Sequence, residues 1–117
     1  MVYFSSSART VSGVHEVVRD PAELAGFVQR VAARDARAAA GITAGAKAAD
    51  FSRDVLVGWT ATTGCSAAGT ATLDVSGERL LLRVSRPAAP PECLRPFSVT
   101  VVFAVPKEGM PDRPVFG

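Results

Sequence analysis

Histidine and cysteine are scarce in this chain: 117 residues hold one of the first and two of the second. That is too few for a four-ligand His/Cys metal centre, and a mechanism needing two histidines is excluded. No metal and no cofactor is expected. Asparagine is absent, and Ile42 is the sole isoleucine. Charge of one sign is also missing, because 13 basic and 11 acidic side chains leave a formal net charge of +2. Such a balance provides no large field to attract nucleic acid or anionic lipid. No apolar stretch approaches the roughly 20 residues that span a bilayer.

The chain opens Met1-Val2-Tyr3-Phe4 and continues Ser5-Ser6-Ser7. This start lacks the basic and long apolar regions of a signal peptide. The expected location is cytoplasmic if the chain is complete, and secreted if it is a trimmed piece. What is present in quantity is arginine, alanine, glycine and proline. Codon usage in a GC-rich genome accounts for that skew better than selection of arginine for anion binding, because it runs the whole length. With 48% hydrophobic and 21% charged residues, residues 1–117 read as a single folded domain.

β-branched content over residues 10–19 predicts a first strand, with Val11, Val14, Val17 and Val18 around Gly13. Asp20-Pro21 then ends it and starts a helix: Asp20 can cap, Pro21 suits the first turn, and Glu23 can reach back as a capping-box acid. Leu24, Phe27, Val28 and Val31 follow at helical spacing. The helix is expected to span 20–40, with Gly41 and Gly45 as breakers. Residues 50–106 read as β structure. Val55, Val57 and Trp59 alternate with Leu56 and Gly58, and Trp59 is placed at the mouth of a loop from Thr60 to Gly69.

Two alternating runs joined at Ser76-Gly77 predict a hairpin. Pro87, Pro90, Pro91 and Pro96 exclude regular pairing over most of Arg86 to Pro96. A final strand puts Phe97, Val99, Val101, Phe103 and Val105 inward, and Ser98, Thr100 and Ala104 outward. Residues 107–117 are expected to form an irregular tail. The anticipated core is Leu24, Phe27, Val31, Val57, Leu73, Leu80, Leu82, Val99, Val101 and Phe103.

Few residues carry chemistry. Cys65 and Cys93 fall in two loops that can meet at one end of a sheet. A disulfide between them would close a ring of about 29 residues, worth roughly 3–4 kcal/mol on the chain-entropy model. A reducing cytosol weighs against it. Two unbonded structural thiols rank second, and a nucleophilic Cys65, with His15 as its sole imidazole partner, ranks third. His15 reads as a half-exposed strand residue. Asp50 and Asp54 read as solvated charges at a strand entry rather than an acid/base pair. No phosphate-binding glycine loop or nucleophile elbow is present.

Three features combine into a resemblance: Asp50-Phe51-Ser52 leading into Val55-Leu56-Val57, Thr63-Gly64 in the next loop, and a last strand closed by Val105-Pro106-Lys107. Over about residues 50 to 107 the chain resembles the C-terminal domain of the protease-complex regulatory (PrcB-like) family, and Val17 to Leu24 fits its strand-to-helix entry. That family usually shows Thr-Gly-Gly, where this chain has Thr63-Gly64-Cys65. The departure, with Cys93 expected nearby, is consistent with a disulfide substituted into the loop end. The resemblance implies a small non-enzymatic, partner-binding domain linked in some members to the regulation of proteases, and no catalytic residues.

The expected fold class is therefore α+β, one N-terminal helix with a mainly antiparallel β-sandwich or half-open barrel. The expected function is a protein-binding or regulatory module that contacts a protein partner through Trp59, Thr63, Gly64, Arg86 and Arg95. The competing expectation is a small β-type enzyme or ligand carrier of a biosynthetic pathway, built around an apolar cavity lined by Trp59 and phenylalanines.

Overall fold

In a computed structural model, which describes residues 2–7, 14–64, 69–85 and 97–116, the helical region opens at Asp20. Its carboxylate accepts the Glu23 N–H at 2.8 Å, and Glu23 Oε1 accepts the Arg19 N–H at 2.7 Å. Helix α1 then runs Pro21–Ala32 and buries Phe27 and Val31. It does not continue to residue 40. A second cap, Asp35, accepts the Ala38 N–H at 3.1 Å and starts helix α2, Ala36–Gly45. A short polar side chain that bonds the backbone ahead of it competes with helix continuation. An unbroken helix over 20–40 would run about 30 Å in one direction. The break instead brings Ala38, Ala39 and Ile42 into the same cluster as Phe27 and Val31.

The expected breakers Gly41 and Gly45 lie inside α2, for a packing reason. Strand β1, Tyr3–Ser7, crosses close to them. A Cβ at Gly41 would sit 2.3 Å from the Tyr3 ring, and one at Gly45 would sit 2.5 Å from the Val2 carbonyl oxygen. Strand β2 is His15–Val18, shorter than the expected 10–19, of which residues 10–13 lie outside the described residues.

The remaining strands are β3, Asp54–Gly64; β4, Thr70–Ser76; β5, Arg79–Ser85; β6, Phe97–Pro106; and β7, Val115–Phe116. The described residues thus form an α+β structure of two helices and two mostly antiparallel sheets, ordered β1-β6-β3-β2 and β4-β5-β7. It is not a closed barrel. The single expected helix is two, and two strands precede them. The tail also departs from expectation: a 3₁₀ turn at Lys107–Gly109 leads to β7, which pairs in parallel with β5. Gly77, at φ 59°, turns the chain between Ser76 and Arg79, which pair across the predicted hairpin.

Alternation in the four-stranded sheet sorts side chains to two covered faces. Leu56 and Val102, with Val18 of β2, pack under Phe27, Val31 and Ile42. A Cβ at Gly58 would lie 2.3 Å from the Phe27 ring, so the helix reaches the sheet through this glycine. On the opposite face Val99, Val101 and Phe103 meet Ala71, Leu73, Leu82 and Val84, while Val55 and Val57 meet Leu80 and Met110. Ser98 and Thr100, expected to point outward, are buried, because β6 is covered on both faces. Leu24, Leu73 and Leu82 of the anticipated core are only partly buried.

Candidate functional site

Trp59 does not end its strand. Strand β3 continues to Gly64, with Thr60, Ala61, Thr62 and Gly64 paired to Thr100, Val99, Ser98 and Phe97 and a register shift between Thr62 and Gly64. The five steps from Trp59 to Gly64 cover roughly 17 Å of strand. The structure therefore separates Trp59 from Thr63 and Gly64, with which the sequence grouped it. Cys65, Arg86, Cys93 and Arg95 lie outside the described residues, and the disulfide expected between the two cysteines lies there with them.

What the fold brings to Trp59 is His15 and Phe116. His15 lies opposite Trp59 in the β2–β3 ladder, and Phe116 arrives from β7, paired with Leu80 of β5. Trp59 and Phe116 meet edge to face with centroids 4.9 Å apart at 78°. His15 and Phe116 are 4.6 Å apart, and His15 and Trp59 are 6.1 Å apart. Tilted and edge-on contacts at these separations place positive ring edges against negative faces. The three rings are not sealed: His15 is exposed, and Trp59 and Phe116 are half-buried.

The strand that carries His15 is pinned on both sides of it. Val14 N–H donates to Thr60 Oγ1 at 3.0 Å, while the Thr60 N–H and hydroxyl donate to the Val14 carbonyl at 2.8 and 3.1 Å. Next in line, Glu16 projects to the other face and pairs with Arg30 of α1, whose Nε donates to Oε2 at 3.1 Å. Strand alternation thus assigns Glu16 to the helix side and leaves the imidazole with the aromatic rings.

Trp59 was legible as a candidate contact residue; its two partners were not. The available signal was Val115-Phe116, an apolar pair closing a proline-containing tail, but nothing local says that it becomes a strand beside β5.

The other candidates have structural partners. Asp50 accepts the Ser52 N–H at 3.0 Å and also its hydroxyl, and its carbonyl accepts the Arg53 and Asp54 N–H groups. These Ser52 hydrogen bonds hold the Asp50 carboxyl below its ordinary pKa, with smaller help from the Arg53 and Lys107 charges. Asp50 organises the turn into β3. Among the described residues no three His, Cys, Asp or Glu side chains gather where they could hold a metal ion, and no helix is long and apolar enough to cross a membrane.

A groove of about 400 Å³ runs between β4 and β6, lined by Leu73, Val75, Phe103 and Val105 among others. It opens to solvent and does not include Trp59. No family model, curated protein or solved structure matches this chain.

Proposed function

We propose that the chain is a small non-enzymatic protein-binding or regulatory module, and that its contact surface is the flank formed by β2, Trp59 and β7. The observation that carries this reading is the partly exposed His15–Trp59–Phe116 group at the meeting of two sheet edges. Among the described residues, strand β2 ends the four-stranded sheet and β7 ends the three-stranded one. Tryptophan in a half-buried setting is a favoured anchor of protein interfaces, and unpaired strand edges offer backbone donors and acceptors to an incoming chain. The resemblance of residues 50 to 107 to the protease-complex regulatory family directs the search for a partner toward a protease or its complex.

The filled surroundings of Trp59 favour this reading over a cavity-based enzyme or ligand carrier: Phe116 and His15 occupy the space in front of the indole. The test is affinity capture from the source cell with the full chain as bait, followed by identification of the retained protein. Wild type is expected to retain a protease or a protease-associated protein, and His15→Glu, at an exposed position, to lose most of it while keeping its circular dichroism. Equal retention by the two baits overturns the assignment of the flank.

A further inference from the structure

We propose that Val115–Phe116 is a displaceable plug in a peptide groove, which takes an extended partner segment carrying an aliphatic–aromatic pair. The inference rests on the binding-module reading and names what its flank recognises. Val115–Phe116 itself shows how such a segment sits. It lies parallel to β5, Val115 beside Arg79 and Phe116 beside Leu80, and the Val115 N–H donates to the Glu78 carbonyl at 2.7 Å. This is strand addition at a sheet edge, where backbone bonds hold the segment and alternate side chains are read. Phe116 is the side chain that is read, by the rings of His15 and Trp59. Its neighbour Val115 is 51% exposed.

Little holds the plug in place. Met110, 8% exposed, is anchored among Val55, Val57 and Leu80. Beyond it, Pro111 and Pro114 have no N–H to donate, and Asp112 and Arg113 are exposed. A two-residue edge strand, with Val115 exposed and Phe116 only partly buried against the Val55, Val57, Leu80 and Met110 cluster, belongs to the part of a structure that opens most readily. Opening would free the Glu78–Leu80 edge of β5 and the parts of the Trp59 and His15 rings that Phe116 contacts, while leaving Met110 seated.

The occupant that replaces the plug is a partner's segment rather than the tail of a second copy. From Met110 to Val115 the chain can reach at most about 18 Å. A tail crossing to another copy would need the two grooves to lie within that reach, or Met110 to leave its seat among Val55, Val57 and Leu80. In cis the plug competes at the high effective concentration of a tethered segment. The apparent affinity for a free segment is lowered by the fraction of grooves that are closed.

Trp59 is the single tryptophan, so its emission reports on the seat. The probe is a synthetic peptide with the sequence of residues 110–117, titrated into full-length wild type and full-length Phe116→Ala. The variant is expected to saturate at a peptide concentration at least about tenfold lower than wild type, and a peptide with alanine in place of its phenylalanine to leave the emission unchanged. A folded Phe116→Ala protein whose Trp59 emission ignores the peptide overturns the proposal.

If Phe116→Ala loses its native circular dichroism, Phe116→Leu, which keeps apolar volume, takes its place with the same expectation. Loss of structure in both makes Phe116 a core strut, and the plug is then refuted. A concentration-dependent dimer of wild type that Phe116→Ala abolishes also refutes it, in favour of exchange between copies. Peptide binding without loss of capture by His15→Glu would spare the groove and sink the functional reading; the reverse result would spare the module and sink the plug.

Discussion

The two sheets of this protein are built from similar valine- and leucine-rich strands, yet they occupy different environments. In β3 the consecutive residues Val55, Leu56 and Val57 are all buried, and in β6 burial runs without interruption from Ser98 to Phe103. Helices cover one face of these strands and the second sheet covers the other. In β4 and β5, by contrast, Ala71 and Leu80 are the buried positions, and Val75 is exposed. A strand covered on both sides takes small polar residues such as Thr60, Ser98 and Thr100 into its interior. A strand covered on one side must alternate. Stability should therefore be concentrated in the helix-covered sheet, while the three-stranded sheet is free to present an edge.

The largest test of that contrast compares Phe27→Ala with Leu82→Ala in denaturant unfolding. Phe27 is fully buried against Gly58, and its loss should cost about 3–5 kcal/mol. Leu82 is half-buried, and its loss should cost about 1–2 kcal/mol. Equal costs would remove the distinction between the sheets.

A smaller effect is expected at the link between the helices. Asp35→Ala should cost about 1–2 kcal/mol, because it leaves the Ala38 N–H without its cap in a buried site. A melting curve matching wild type would mean that α2 docks without its cap.

The smallest effect concerns the entry to β3. The Asp50 carboxyl titrates below its unfolded value, so the folded state favours its charged form. That contribution is complete above the ordinary carboxylate pKa of about 4 and is lost as pH falls through the lower folded value. Asp50→Asn should thus narrow the difference between urea midpoints at pH 7 and pH 3. An unchanged difference would remove Asp50 from the acid response.

Local chemistry was legible wherever it acts within a few residues. Asp20, Pro21 and Glu23 mark a helix start that forms by their own hydrogen bonds, and Ser76-Gly77 marks a hairpin because the backbone there requires a positive φ. The alternation of Val55, Val57 and Trp59 against Leu56 and Gly58 assigned both faces of β3. The break at Asp35 was hidden in an alanine-rich run with high helix propensity. Gly41 and Gly45 look like helix breakers in the sequence because their reason lies in Tyr3 and Val2, about forty residues away. Of the expected site, Trp59 alone keeps a described side-chain environment, and its neighbours come from both ends of the chain.

By itself, then, the sequence determined the α+β composition, the first helix cap, the two faces of β3 and the scarcity of histidine and cysteine. Each of these follows from periodicity, capping or counting, which act over short range. Tertiary structure decided the split of the helix, the addition of β1 and β7 as edge strands, and the meeting of His15, Trp59 and Phe116. Those depend on which surfaces remain to be covered once the two central strands have paired, and no local pattern encodes that.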